Sequence, residues 1–85
     1  TEEDNKQALT ALFLETRPDR TPQVVTDIVE QIDKIVRTTR FKGWQESKAG
    51  PKSIQRALMV TLAQFGLAKD KELFDKAYAY IEEHY

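Results

Sequence analysis

Two short stretches of the chain match a pattern that carries metal-dependent chemistry in other proteins. Pro18-Asp19 and Glu46-Ser47-Lys48 together spell the PD…ExK arrangement of metal-dependent nucleases. In such a site two carboxylates hold Mg²⁺ and the lysine lies beside the attacking water, on a rigid scaffold that is usually a sheet. Here both halves fall in predicted loops of a helical chain without candidate strands. We therefore interpret the match as accidental and predict no catalytic residues.

A second stretch resembles part of a phosphate-binding loop. It reads Gly50-Pro51-Lys52-Ser53. A P-loop needs adjacent Gly and Lys, four residues between its glycines and a buried strand before it. Here Pro51 intervenes, six residues separate Gly43 from Gly50, and a predicted helix precedes the stretch. A helix start explains these residues better than a nucleotide site.

Histidine and cysteine chemistry is also limited. The chain has one histidine, His84, and no cysteine. A nucleophilic site of the Ser/His/Asp or Cys/His kind therefore has too few members. His84 beside Glu82 and Glu83 could form a fortuitous metal site, but a helix C-terminus favours histidine through its dipole. We predict no metal and no cofactor in this chain.

Positive charge is concentrated in one part of the chain. Residues 34–56 contain seven basic residues and one acidic residue, whereas the rest contains six basic and thirteen acidic residues. Such asymmetry is informative about binding partners rather than about fold. The predicted interaction surface consists of Arg37, Arg40, Lys42, Lys48, Lys52 and Arg56.

Two aromatic residues, Phe41 and Trp44, lie within this basic segment, and three interpretations stay open. The cations could contact DNA phosphates while an aromatic ring stacks on a base. They could instead dock an acidic protein surface, with complementary charge setting the register. In the third interpretation the aromatic rings point inward and fix the loop. Because such rings are more often core in a small helical domain, we predict that Phe41 and Trp44 are loop anchors.

Four amphipathic segments must position this basic loop. Apolar residues spaced at i, i+3, i+4 and i+7 predict helices over about residues 1–16, 22–38, 51–65 and 70–85. Thr1, Thr21 and Asp70 are predicted N-caps, and Gly66 is the predicted stop of the third helix. The predicted fold is all-α, a small four-helix bundle with one longer Trp-containing loop between helices 2 and 3.

The second helix has the clearest pattern. Its predicted apolar face contains Val24, Val25, Ile28, Val29, Ile32, Ile35 and Val36. All seven are β-branched, which would also suit a strand, but their spacing contradicts a period of two. The predicted polar face contains Asp27, Glu30, Asp33, Lys34 and Arg37.

Length and composition indicate one small globular domain over residues 1–85, with 40% hydrophobic and 32% charged residues. The absence of cysteine fits a cytoplasmic protein, and no apolar run approaches the roughly 20 residues that span a bilayer. We expect no membrane partner.

Because the chain opens inside a helical pattern without Met, we expect a piece of a longer protein. Leu14, Met59 and Val60 lie outside the apolar stripes. They are either singly exposed residues or part of a surface against another domain.

Three phrases of the sequence carry a resemblance to a known family. They are RFKGWQ at residues 40–45, IQRAL at residues 54–58 with Leu62, and LFDKAYAYI at residues 73–81. In this order and spacing they resemble the extreme C-terminus of the R (restriction) subunit of type I restriction enzymes. The resemblance covers about residues 24–85. None of the phrases is a catalytic motif.

The resemblance implies a C-terminal domain of a multidomain subunit. That subunit is an ATP- and Mg-dependent DNA translocase and site-specific endonuclease, with a nuclease domain near its N-terminus and two RecA-like helicase domains. The family's C-terminal region docks onto the methyltransferase core of M and S subunits. The resemblance therefore implies an assembly role here, with those subunits and other domains of the R subunit as partners. Direct DNA binding by the basic segment and a purely structural brace are the alternatives.

Overall fold

The computed structural model describes residues 2–20 and 22–85, which form four α-helices. The helices are α1 (Glu2–Thr16), α2 (Pro22–Thr39), α3 (Gly50–Gln64) and α4 (Lys71–His84). A single 3-10 turn, Trp44–Glu46, interrupts the connection between α2 and α3. The described residues contain no strand. The predicted all-α four-helix bundle with one longer loop between helices 2 and 3 is therefore confirmed.

The helices pack in a ring in which each contacts two others. The helix α2 packs against α1 and α3, and α4 closes the ring by packing against α1 and α3. The side chains enclosed by the ring are almost all aliphatic, and each contributes roughly 1.5–3 kcal/mol when it leaves water. The core comprises Leu9, Phe13, Val25, Ile28, Val29, Ile32, Val36, Trp44, Ile54, Leu58, Leu62, Leu67, Leu73, Ala77 and Ile81.

The apolar face of α2 agrees with the predicted stripe except at its margins. Val24 is 37% exposed and Ile35 is half-buried, because both lie at the edge of the arc that faces the other helices. The prediction that Asp33 lies on the polar face is wrong, because its side chain is buried. Asp33 follows Val29 by four residues and precedes Val36 by three, and that spacing places it on the apolar face.

Two of the predicted helix ends are confirmed. The Asp70 Oδ1 atom accepts a hydrogen bond from the Leu73 amide at 3.1 Å and caps α4. Gly66 has a φ of 75°, and the Leu67 amide donates to the Leu62 carbonyl oxygen at 2.8 Å, which completes a Schellman motif after α3. The predicted caps Thr1 and Thr21 lie outside the described residues.

The apolar residues off the stripes divide into two kinds. Leu14 is partly buried and packs against the core, whereas Met59 and Val60 are 37% and 52% exposed on α3. Among the helices of the described residues, none has the length and apolarity needed to cross a bilayer.

Candidate interaction surface

The connection between α2 and α3 is held in place by Trp44. Its side chain is 1% exposed, as predicted for a loop anchor, and its ring meets the Tyr78 ring edge-on at 6.4 Å between centroids. Gly43, at a φ of 79°, supplies the left-handed backbone that turns the chain inward just before the indole. The indole Nε1 atom is buried and has no hydrogen-bond partner among the described residues. Trp44 is therefore held by apolar packing.

The backbone around Trp44 leaves no room for larger residues at the start of α3. The Ser47 hydroxyl donates to the Trp44 carbonyl oxygen at 3.1 Å and accepts from the Gly50 amide at 2.8 Å. A Cβ atom on Gly50 would lie 2.1 Å from the Trp44 carbonyl oxygen. Only glycine allows this close approach, so the loop has one well-defined path between the two helices.

Phe41 differs from Trp44, and the prediction that it anchors the loop is wrong. Its side chain is 50% exposed. The larger indole takes the position next to Tyr78 of α4, and the 3-10 turn that carries it packs on α3. Phe41 lies at the start of the turn, where its carbonyl oxygen accepts from the Trp44 amide at 3.0 Å. The basic segment thus presents one aromatic ring to solvent.

Arg37 belongs to the internal structure of the domain as well as to the predicted surface. Its Nη2 and Nε atoms donate to the Asp33 Oδ2 atom at 2.6 and 2.8 Å. The Tyr85 hydroxyl donates to the other carboxylate oxygen at 2.5 Å. Burial, followed by this hydrogen bond, raises the pKa of Tyr85 well above its usual value. Because a buried carboxylate needs partners, the Arg37 charge is neutralised within the domain and is not free for a partner.

Arg40 is exposed and is oriented by the end of α4. Its Nη1 atom donates to the Tyr85 carbonyl oxygen at 3.3 Å, and its guanidinium carbon lies 5.6 Å from the centroid of the Tyr85 ring. Neither contact involves a carboxylate side chain. The position of the Arg40 side chain is restricted, while its charge is not neutralised by any described acidic side chain.

The other four predicted surface residues are exposed and have no ion pair with a described residue. They are Lys42, Lys48, Lys52 and Arg56. Lys52 and Arg56, together with Ala49 and Ser53, line a depression of about 210 Å³ at the start of α3. The positive end of the α3 dipole adds to their charge there. With Arg40 they make five exposed cations, and we call these five residues together with the exposed Phe41 the basic surface.

The stretches that matched catalytic patterns have local roles. The Asp19 carboxylate is bound by the Arg17 Nε and Nη2 atoms at 3.2 Å each, and this contact lowers the pKa of Asp19. Glu46 closes the 3-10 turn beside Trp44. The His84 ring stacks on the Tyr80 ring with 4.2 Å between centroids. Among the described residues, no group of three or more His, Cys, Asp or Glu side chains could hold a metal ion.

Sequence reasoning missed the link between Asp33, Arg37 and Tyr85. A signal for it was present, because Arg37 follows Asp33 by four residues, the spacing of a helical ion pair. Nothing local indicated that Tyr85, 52 residues away, would complete the site. The exposure of Phe41 also had no local signal.

Comparison of the chain with protein-family models, with curated proteins and with solved structures finds no match.

Proposed function

We propose that this chain is a non-catalytic assembly domain of a type I restriction enzyme R subunit. In this proposal it docks the ATP-dependent translocase and endonuclease subunit onto the methyltransferase core. The resemblance of residues 24–85 to that family supplies the partner. The resemblance implies that ATP and Mg²⁺ act in other domains of the subunit.

One observation carries the proposal, namely the basic surface itself. Residues 40–56 carry five exposed cations that have no ion pair with a described residue, together with one half-exposed aromatic ring, and Trp44 anchors the loop that begins this segment. Unpaired charges of one sign steer association and fix register with a complementary partner. Aromatic residues such as phenylalanine are enriched in protein interfaces relative to the rest of the surface.

The direct test is binding of this chain to the methyltransferase core of the same restriction system. Reversing two charges, in Arg40→Glu/Lys42→Glu, should weaken binding about tenfold or more, ~1.4 kcal/mol, and Phe41→Ala should act in the same direction. The matched control is Lys69→Glu/Lys71→Glu, which changes the net charge equally at two exposed lysines outside the basic surface. Equal weakening by both pairs, or none by the first, would contradict docking through the basic surface.

Direct DNA binding is a second candidate, and the exposure of Phe41 favours it. A ring that is half in solvent beside unpaired cations can stack on a base, which a buried Trp44 cannot do. Five phosphate contacts predict a log–log slope of the binding constant against salt of roughly −4 to −5 on duplex DNA. A titration at several salt concentrations measures that slope. Absence of DNA binding at low salt would exclude this second candidate for the isolated domain.

A further inference from the structure

A groove runs between α2 and α3, and none of its lining residues belongs to the basic surface. Its walls include Lys34, Ile35, Thr38, Ala57, Val60 and Gln64, and its volume is about 460 Å³. The walls span residues 31–38 of α2 and 57–64 of α3. This is two turns of each helix, or about 11 Å along the axis. A third helix could place apolar side chains at i, i+3 or i+4, and i+7 along such a length.

Three of the residues that line the groove are aliphatic and partly open to solvent. Val60 is 52% exposed, which makes it the most exposed large apolar side chain among the described residues. Ile35 and Ala57 are half-buried beside it. Exposed apolar surface that lines a concave site, rather than a convex one, is typical of a binding groove.

Charge distinguishes this groove from the neighbouring one between α1 and α2. The α1–α2 groove is lined by charges of both signs, and its Lys6 Nζ atom pairs with a Glu30 carboxylate oxygen at 3.2 Å. In the α2–α3 groove Lys34 is the only charged lining residue. It is exposed and has no ion pair with a described residue. The α1–α2 groove contains an ion pair between two of its own lining residues, whereas Lys34 in the α2–α3 groove has no such partner and could pair with an occupant.

We infer that the α2–α3 groove binds an amphipathic α-helix of a partner protein, with aliphatic residues against Val60 and Ile35 and a carboxylate against Lys34. The lining disfavours the other common modes of peptide recognition. Strand addition needs an exposed sheet edge, and the described residues form no sheet. Polyproline segments dock on aromatic-lined grooves, and no lining residue here is aromatic. The inference goes beyond the proposed function, since the groove shares no lining residue with the basic surface.

The experiment uses two synthetic helical peptides of about 18 residues, about 27 Å of helix. Both carry leucine on one face at i, i+3, i+4 and i+7, and they differ only in flanking that face with glutamate or with lysine. Amide chemical shifts of the isotope-labelled chain are followed during titration. The glutamate peptide should shift the amides of residues 31–38 and 57–64 and bind about fivefold more tightly than the lysine peptide at low salt. The difference should shrink at high salt, because exposed charges are screened.

Substitutions at neighbouring residues distinguish binding in the groove from nonspecific binding of the peptide. Val60→Glu should weaken the glutamate peptide about tenfold or more. Met59→Glu is the matched control, because Met59 is the adjacent exposed apolar residue of α3 and does not line the groove. Lys34→Glu should reverse the preference, so that the lysine peptide binds more tightly. Circular dichroism of each variant checks that the helices are intact. The titration of the wild-type chain tests the inference even where a variant does not fold.

Several results would overturn the inference. They are shifts confined to the α1–α2 groove, equal affinity of both peptides, equal effects of Val60→Glu and Met59→Glu, and no binding of either peptide. Self-association of the chain that Val60→Glu abolishes would also overturn it, by making a second copy the occupant. None of these results bears on the basic surface, so failure here and failure of the proposed function are separately visible.

Discussion

The two loops at the ends of α2 differ in whether their charged side chains form ion pairs within the domain. Between α1 and α2, Arg17 donates to Asp19 at 3.2 Å and to Asp70 at 2.8 Å, which ties that loop to the start of α4. Between α2 and α3, the cations have no such acidic partner, and an apolar ring holds the loop instead. The first loop therefore uses charge to hold the domain together. The second is fixed without its charges, which stay available to a partner.

The largest effect expected from breaking this contrast is at Trp44. Trp44→Ala removes the buried ring that anchors the second loop and leaves a cavity beside Tyr78, so the free energy of unfolding should fall by about 3–5 kcal/mol. Phe41→Ala, at a half-exposed position in the same loop, should cost under about 1 kcal/mol. Urea unfolding followed by circular dichroism measures both. Similar losses would show that the loop is not fixed by its indole.

An intermediate effect is expected at high pH from the site that neutralises Arg37. Folding raises the pKa of Tyr85 above its value in the unfolded chain, so the folded state favours the neutral phenol. That contribution is complete below about pH 10, the ordinary tyrosine pKa, and is lost as pH rises toward the folded pKa. The free energy of unfolding should therefore fall above about pH 10.

Tyr85→Phe tests the origin of this pH dependence. It should remove part of the alkaline loss and lower stability at neutral pH by about 1 kcal/mol, because Asp33 loses a donor. The comparison variant is Tyr78→Phe, because the wild-type Tyr78 hydroxyl donates to an exposed carboxylate, that of Glu82, at 3.4 Å. An unchanged alkaline profile for Tyr85→Phe would exclude Tyr85 as the titrating group.

The smallest effect is expected in the first loop. Asp70→Ala removes the cap of α4 and one partner of Arg17, and should cost about 1 kcal/mol in the free energy of unfolding. Asp70→Asn keeps a capping oxygen and should cost less. Neither variant should change binding through the basic surface. A change in that binding as large as the one from Arg40→Glu/Lys42→Glu would remove the functional distinction between the loops.

The fold followed from local rules, and these rules operate within a few residues. The apolar spacing on α2, the cap at Asp70 and the stop at Gly66 each depend on near neighbours. The structure has the cap and the stop as predicted, and it has the α2 stripe except at Val24, Ile35 and Asp33. Burial of Trp44 followed from its size and character. In these features, the residues that interact in the structure are also close together in the sequence.

The surface could be predicted only in outline, because its details depend on distant parts of the chain. Whether Arg37 is free depends on Asp33, which is buried and bonds both Arg37 and Tyr85, the residue after α4. Whether Phe41 is buried depends on which ring takes the place beside Tyr78. The groove between α2 and α3 arises from how two helices meet. No periodicity within one helix encodes such a relation.

Trp44 has a practical consequence, since it is the single tryptophan of the chain and lies next to the basic surface. Its indole is sealed from water beside Tyr78, so its emission is shielded from soluble quenchers while the loop holds its shape. Loosening of the loop would shift that emission to longer wavelength and let quenchers in. Trp44 is thus an intrinsic fluorescence probe, which needs no label, next to the surface to which a partner would bind.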